Sequence, residues 1–495
     1  MAVLNNQQRQ VGRDNWADAV RVSRRQMLTG ALVAPAAASL FFGYGKLEGE
    51  PVRVGVIGTG DQGNNGHISQ MNPNYCRLVA FSDIRPSNIK RTWDNINTKF
   101  PKEIASKVKF YENYKDLLAD PEIEMVCIAL PLHLHAPVTI EAIKAGKHVL
   151  CEKLMAKTVG ECKAMIKAAD EAKKLLAIGH QRHYSYLYAN CRAIIEEGDI
   201  LGDIRHLRAY WHRNQTGYGA QGAETGRYDS WFKPIPDEDR SVDLNRYGYN
   251  SYEELVRWRV YDRTGAGLVA ELGSHQLDAC SIFLGKVHPK SVQGSGDVLF
   301  FKDNRQVEDH VFLIYEYPKD SPANGAVVMY SSIGTNAFDG YGEQVMGTRG
   351  TMIVQEEREA YLFKEGTSRD TRVSWAEKHI ERPAIASGST KVWAAGPETP
   401  DTLTSRGYRE QMEHMAWLIR NPDKIVWPSK ENPHPENNPD LAPFLPRCHG
   451  RVGMADAIIA LVSNMAMRTQ QKITFRDEWF DPYNPATPED EIKVA

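Results

Sequence analysis

Two short stretches carry residue types that can move protons. Glu152-Lys153 follows the apolar run His148-Val149-Leu150-Cys151, which places the lysine at the end of a strand. A lysine that is partly desolvated, or set beside another cation, gives up its proton more readily, and a pKa near ~7–8 suits a general base. Glu271 and His275 stand four residues apart, with Asp278 three further on. Helical spacing puts such residues on one face, where a carboxylate and an imidazole can share a proton and face one ligand. A base, an imidazole and an orienting carboxylate are what the oxidation of a secondary alcohol needs, provided the reacting atoms are held ~3–3.5 Å apart. On residue type alone, a surface lysine and a helix-surface ion cluster account for the same residues equally well.

The redox partner of such a site is indicated further upstream. Val54-Gly55-Val56-Ile57 reads as a buried strand and runs into Gly58-Thr59-Gly60-Asp61-Gln62-Gly63. This is G-x-G-x-x-G between a strand and a helix, the context in which the pattern carries meaning. Gly58 permits the tight turn, Gly60 lets the backbone approach a pyrophosphate, and Gly63 allows close helix–strand packing. The pyrophosphate then rests on the N–H groups of the following helix. Leu78-Val79-Ala80-Phe81 forms the next strand and leads to Asp83, placed to bind the adenosine ribose hydroxyls. A carboxylate there repels a 2′-phosphate, so NAD is expected over NADP; Arg85, two residues on, leaves NADP open.

These residues require a scaffold, and the alternation of elements supplies one. A helix at 114–118, a strand at 125–130, a helix from Pro137 to Ala145 closed by Gly146, a strand at 148–151, a helix from Val159 to Lys174 and a strand at 176–178 follow in turn. Repeated strand–helix units imply a doubly wound parallel sheet with its ligand at the carboxyl ends of the strands. Pro131, His135 and Glu152 all fall there and are expected to line the cofactor. After Gln181 the pattern changes to alternating runs such as 206–211, 311–315 and 326–330. Those predict an open, mainly antiparallel sheet with one buried face. Arg182, Tyr184, Trp211 and His212, together with Asp278, are the expected substrate contacts, because a hydroxylated substrate needs directional hydrogen bonds and an apolar platform. Residues 215–262 and 380–405 read as loops, helices are expected at 406–420 and 453–468, and the tail after Phe480 as extended and acidic.

The 495-residue chain is 42% hydrophobic and 25% charged, with a formal net charge of −3. Those values fit a soluble globular protein of two or more domains and give no electrostatic reason to expect nucleic acid. Seven cysteines are scattered without C-x-x-C spacing, which argues against both a disulfide framework and a zinc site. His133 and His135 have ligand-like spacing but no supporting carboxylate or cysteine cluster, so no metal is expected. Ser23-Arg24-Arg25-Gln26-Met27-Leu28 precedes a weakly apolar run to Phe42, with Ala36-Ala37-Ala38 as a cleavage site. This reads as a twin-arginine export signal, too short for an ordinary spanning helix. The expected organisation is therefore a signal and linker over 1–50, a dinucleotide domain over 51–180, a substrate domain over 181–480 and a tail over 481–495. The expected location is the periplasm, reached through the twin-arginine machinery, with no stable membrane insertion.

Gly55-Val56-Ile57-Gly58-Thr59-Gly60, Ala129-Leu130-Pro131 with His135, Ala145-Gly146-Lys147-His148-Val149, Glu152-Lys153, and the block from Gly265 through Glu271, Gly273, His275 and Asp278 resemble the glucose–fructose oxidoreductase / inositol dehydrogenase (Gfo/Idh/MocA) family. The resemblance implies an α/β chain: a Rossmann domain followed by an α/β domain with a large open sheet, binding a sugar or cyclitol between that sheet and the nicotinamide. It also implies catalytic roles for Lys153, His275 and Glu271. Two departures stand out. Leu154 replaces the proline that usually follows Glu-Lys, and a leucine gives little reason for a cis bond, which costs ~3 kcal/mol without proline. Glu271 stands where the family has Asp, moving the carboxylate by about one methylene. An exported member would keep its cofactor bound and recycle it with a second carbonyl substrate. Two other functions fit the same residues: glycoside cleavage through a transient keto-sugar, against one branch of which Lys153 weighs, and sugar binding without catalysis. An exposed face of the open sheet is the natural surface for self-association.

Overall fold

The computed structural model describes residues 4–27, 42–196, 200–215, 229–365 and 406–494, apart from several positions between 430 and 439. Strands β1 (Val52–Ile57), β2 (Cys76–Ser82), β3 (Lys109–Tyr111), β4 (Met125–Ile128), β5 (His148–Cys151) and β6 (Leu176–Ile178) form a sheet in the order β3-β2-β1-β4-β5-β6. Each neighbouring pair is parallel. The chain reverses direction across the sheet between β1 and β4, and a ligand crevice opens there at the carboxyl ends. Every residue of β4 is buried, as expected for a central strand covered on both faces.

Local signals set the intervening helices. Asn113 caps the helix Tyr114–Ala119, and a Thr158/Glu161 capping box starts Val159–Ala172. Gly146, at φ +80°, closes His135–Lys144. The segment after the glycine turn is not a regular α-helix: a π-turn, Gly63–His67, passes into a single 3-10 turn, Ile68–Gln70. The helix Pro86–Lys99 and strand β3, which the alternation pattern did not reveal, complete the unit.

The second sheet has eight strands in the order β13-β12-β11-β7-β10-β9-β8-β14. They are β7 (Ile204–His212), β8 (Ser291–Asp297), β9 (His310–Glu316), β10 (Val327–Ile333), β11 (Tyr341–Gly347), β12 (Gly350–Gln355), β13 (Glu359–Lys364) and β14 (Ile473–Thr474). Only β7 and β10 run parallel, so the sheet is mixed and mostly antiparallel. Alternation decides its faces: Val311, Leu313 and Tyr315 of β9 are buried while Phe312 and Ile314 are exposed. The buried face packs under the helices Ser274–Phe283 and Gly450–Thr469, and Tyr315 Oη is 2.6 Å from Ser463 Oγ.

Both chain ends pack against the body of the protein. Residues 6–27 form one helix, and Trp16, Ala19 and Val20 are buried; Asn15 Nδ2 donates to the Leu362 carbonyl of β13 at 2.8 Å. Most of the run from Leu28 to Phe42, including Ala36-Ala37-Ala38, lies outside the described residues, as do 216–228 and 366–405. Phe42 and Tyr44 belong to the dinucleotide domain's core, where the Tyr44 ring stacks on His414 at 5.3 Å. The tail is not extended. After the turn Asp477–Phe480 it makes a further short helical turn at Pro488–Glu491, and buried Lys163 gathers the carbonyls of Glu478, Asn484 and Ala486 at 3.0, 2.8 and 2.7 Å. All seven cysteines are buried and unpaired. No helix among the described residues is long and apolar enough to cross a membrane.

Candidate active site

A cavity of about 560 Å³ runs along the carboxyl ends of the parallel strands, beneath a strap formed by residues 229–263 of the second domain. Its floor is the glycine turn. Gly58 takes φ +83°, and a side chain there would meet the Ala129 carbonyl at 2.5 Å. Gly63 packs so tightly that an added Cβ would lie 2.0 Å from the Gly58 oxygen. Gly60 is the opposite case: a Cβ there would meet nothing within 4 Å, and the residue lines the cavity with Asp61 and Gln62. The first and third glycines close the turn, and the second leaves room for a pyrophosphate to approach the backbone.

Asp83 plays a different part from the one expected. It does not line the cavity; its carboxylate accepts from the backbone N–H of Thr59 at 2.7 Å and of Arg85 at 2.9 Å, and from Asn88 Nδ2 at 3.2 Å. It ties the glycine turn to the end of β2, while Arg85, Asn88 and Arg91 face the cavity. Pro131 likewise stands behind the wall, starting the turn Leu132–Leu134, and Ala129 and Leu130 line in its place.

At the other end the proposed proton-handling residues converge. Lys153 Nζ donates to the Glu271 carbonyl at 2.8 Å and lies 3.8 Å from the Glu271 carboxylate, which Arg259 Nε reaches at 2.8 Å. Burial, with Arg259 close by, holds the lysine's pKa below its ordinary value although Glu271 opposes the shift. Burial works to raise Glu271, but Lys153 and Arg259 outweigh it and keep the group ionised. His275 lines the same wall; burial, then Lys153 and Arg182, hold its pKa well below the usual range, so the ring is neutral. Its Nδ1 has no hydrogen-bond partner among the described residues.

Glu271 pairs with Lys153 and Arg259, not with His275 as the four-residue spacing predicts. Val269–Gly273 is a π-turn leading into Ser274–Phe283, and its wider turn lets Glu271 meet Lys153 and Arg259 instead of His275. The Lys153–Leu154 peptide is cis, contrary to the expectation drawn from Leu154. The buried Leu154 has its carbonyl fixed by His135 Nδ1 at 2.7 Å, and His135 Nε2 reaches the Leu130 carbonyl at 2.9 Å. Burial opposes protonation of His135, but Cys151 and those two carbonyls bring it to about 9. Glu152 accepts from Gln62 Nε2 at 2.8 Å and lies 3.1 Å from His67 Nε2. Burial works to raise it; His67 and Gln62 hold it below the usual carboxylate range.

The expected sugar contacts mostly stand elsewhere. Arg182 is sealed between Glu343 and Glu357, 2.8 Å from each, and donates to the His275 carbonyl at 2.6 Å. Tyr184 is buried against His414, to whose Nδ1 it donates at 2.8 Å. Asp278 is buried with His183, which it meets at 2.6 Å, and with His180 and Asp456 nearby. Trp211 stacks on Tyr341 at 4.4 Å and approaches His275 to 5.8 Å without lining the cavity. His212 bonds Ser331 Oγ at 2.8 Å. A short strand-end segment carries side chains to both sides of the sheet, and polar type alone does not reveal which side is the cleft.

The wall that sequence reasoning missed is the strap. Trp231, Lys233, Arg257, Trp258 and Arg259 line the cavity, as does Tyr408. The signal was present as an Arg/Trp-rich run inside a segment read only as loop, and loops over a rigid scaffold commonly carry binding residues.

Comparison with known proteins agrees with this fold. Residues 52–180 match the family described as "Oxidoreductase family, NAD-binding Rossmann fold", and residues 240–423 match its "C-terminal alpha/beta domain". The scyllo-inositol 2-dehydrogenase (NADP(+)) IolW of Bacillus subtilis is 25% identical over 281 residues, 56% of this chain and 62% of that protein. The inositol 2-dehydrogenase of Gluconacetobacter diazotrophicus is 32% identical over 165 residues, 33% of this chain and 46% of that protein. The chain thus matches less than two thirds of either relative. Among solved structures, the inositol dehydrogenase homolog of Azotobacter vinelandii complexed with NADH and myo-inositol aligns with TM-score 0.60 at 16% identity, over 86% of this chain and 98% of that one.

Proposed function

The chain belongs to the Gfo/Idh/MocA oxidoreductase family, and from that premise we propose that it transfers hydride between a nicotinamide dinucleotide and a hydroxyl of a sugar, sugar derivative or cyclitol. One observation carries the reading: Lys153, Glu271 and His275 line the same cavity as the open Gly60 turn. Relatives named as inositol dehydrogenases, one solved with NADH and myo-inositol, support the substrate class. The relative named for NADP means that membership alone does not select the dinucleotide.

Gly60, Asp61 and Gln62 would hold the dinucleotide, whose nicotinamide would supply the hydride-accepting centre when bound. The rest is done by this chain's side chains. Lys153, neutral when its lowered pKa is exceeded, takes the hydroxyl proton at Nζ; a second cation in the cleft lowers that pKa further. Glu271, fixed by Arg259, orients the amine, and neutral His275 presents a ring nitrogen to the reacting oxygen. Trp231 and Trp258 provide apolar surface that covers the cleft against water. Denaturing the purified protein and identifying the released dinucleotide by mass spectrometry, then assaying a sugar and cyclitol panel, tests the reading. Absence of dinucleotide together with no binding of added NADH would sink it.

The export signal belongs to the same proposal. Cleavage near Ala36-Ala37-Ala38 would leave Phe42 and Tyr44 in place and remove the N-terminal helix from β13. The N-terminal mass of protein taken from the periplasm reads this directly, and substitution of Arg24 and Arg25 by Lys should keep the chain in the cytoplasm. The exposed Phe312, Ile314 and Met329 of the open sheet are the proposed surface for self-association. Light scattering of a Phe312→Lys variant tests it.

A further inference from the structure

We propose that Asp239, reaching across from the second domain, makes the cleft reject a dinucleotide carrying a 2′-phosphate. This rests on the dinucleotide reading above and assigns its specificity to a residue outside the dinucleotide domain.

The turn after β2 offers what a phosphate would use: the Arg85 guanidinium, the Ser87 hydroxyl, and the Ser87 backbone N–H in the first turn of the helix Pro86–Lys99. Arg85, Ser87 and Asn88 all line the cavity. Yet one carboxylate already holds these groups. Asp239 accepts from Arg85 Nε and one terminal nitrogen at 2.9 and 2.8 Å, from Ser87 Oγ at 2.8 Å and from Ser87 N at 3.0 Å. Asp239 is fully buried. Asp83 adds a second carboxylate, accepting from Arg85 N at 2.9 Å.

The backbone that presents the Asp239 carboxylate is held by contacts within the second domain. It sits in the single turn Asp237–Ser241, closed by Asp239 N to the Pro236 carbonyl at 3.1 Å and Val242 N to the Asp239 carbonyl at 3.2 Å. Val242, Tyr249, Leu255 and Val256 pack behind it as a small apolar cluster. A 2′-phosphate brought to this corner would find its donors taken and a buried like charge beside it. A ribose with free hydroxyls needs no such donors. Selectivity here is therefore a penalty on the wrong cofactor, not an added contact to the right one.

Titration of the intact protein, stripped of bound dinucleotide, with NADH and NADPH by ligand fluorescence tests this. Wild type should favour NADH by about tenfold or more, the scale of an uncompensated like-charge contact. Asp239→Asn should close most of that gap through tighter NADPH binding, and Asp239→Asn with Arg85→Ala should reopen it. A variant-free arm guards against misfolding: on wild type, 5′-ADP should displace NADH at concentrations where 2′,5′-ADP does not. Equal wild-type affinity for NADH and NADPH, equal displacement by the two ADP compounds, or an unchanged ratio in folded Asp239→Asn would overturn the inference. Binding of neither dinucleotide would overturn the cofactor reading itself.

Discussion

Two clusters of cations and carboxylates contact the same short segment, Glu271 to His275, with opposite fates. In one, Lys153, Glu271 and Arg259 line the cavity; in the other, Arg182, Glu343 and Glu357 are sealed behind it. The guanidinium of Arg182 is saturated by two carboxylates, the Gln276 side chain and the His275 carbonyl, and has nothing left to offer a ligand. Lys153 holds one backbone carbonyl closely and its carboxylate only loosely, at 3.8 Å, so its amine can change protonation state without dismantling the fold. An ion pair with slack in it can do chemistry, whereas a saturated one acts as a strut. Arg182 supports the backbone at His275 from behind, so the strut sets the wall that the working cluster faces.

The contrast breaks most sharply by substitution. Lys153→Ala should cut kcat by ~10²–10⁴-fold, the range for loss of a general base, with NADH affinity nearly unchanged. Steady-state kinetics alongside fluorescence titration reads both; full turnover would remove Lys153 from its role. Arg182→Ala should act on stability, because it leaves two buried carboxylates without a counter-charge at a cost of ~3–5 kcal/mol. Denaturant unfolding measures it. An Arg182→Ala protein of wild-type stability but no activity would make Arg182 a ligand contact and erase the distinction.

Why the sequence distinguished these clusters only in part follows from what each signal encodes. Strand–turn–helix context around Gly58, Gly60 and Gly63 is local, and the parallel sheet and its crevice were legible from it. Lys153 and His275 were legible because a family pattern marks them. Arg182 and Tyr184 follow β6, but where their side chains go was not legible, since burial against Glu343 or His414 is decided by partners more than 150 residues away. Arg259 and Asp239 lay in a stretch with no periodicity at all. Their roles exist only once the strap is folded over the first domain.

The working cluster's electrostatics can be tuned without deleting it. Lys153 is held below its ordinary pKa chiefly by burial, with Arg259 adding to the shift. Alcohol oxidation needs the neutral amine, so kcat/KM should rise with pH and level off below the pKa of a free lysine. Arg259→Gln removes the cation that helps to lower it, so the rising limb should move to higher pH by about one unit, the scale of a neighbouring-charge effect. An unmoved limb would mean that Lys153 is not the titrating base.

The strut has its own pH signature, of opposite consequence. Burial raises Glu343 from 4.5 to about 7 even though Arg182 and Tyr188 oppose it. A carboxyl with a raised folded-state pKa binds its proton more tightly when folded. Its contribution to stability is full below pH 4.5 and is lost as pH climbs through about 7. Thermal unfolding between those limits should show a downward slope that Glu343→Gln removes, with turnover at fixed pH little changed. A slope that survives the substitution would assign the titration to another group.

A third ion pair calibrates the scale at its weak end. Lys233 and Asp61 meet at 2.5 Å over the glycine turn, where their side chains are 48% and 55% exposed. Water screens such a pair and the long lysine side chain loses freedom in forming it, so it contributes ~0–1 kcal/mol. Lys233→Ala should therefore weaken NADH binding by no more than about fivefold in low salt, and the difference should fade as ionic strength passes ~0.15 M. Titrations at several salt concentrations separate this from a buried contact. A salt-independent loss larger than that would place Lys233 with the working residues, and slack, rather than exposure, would cease to be what distinguishes them.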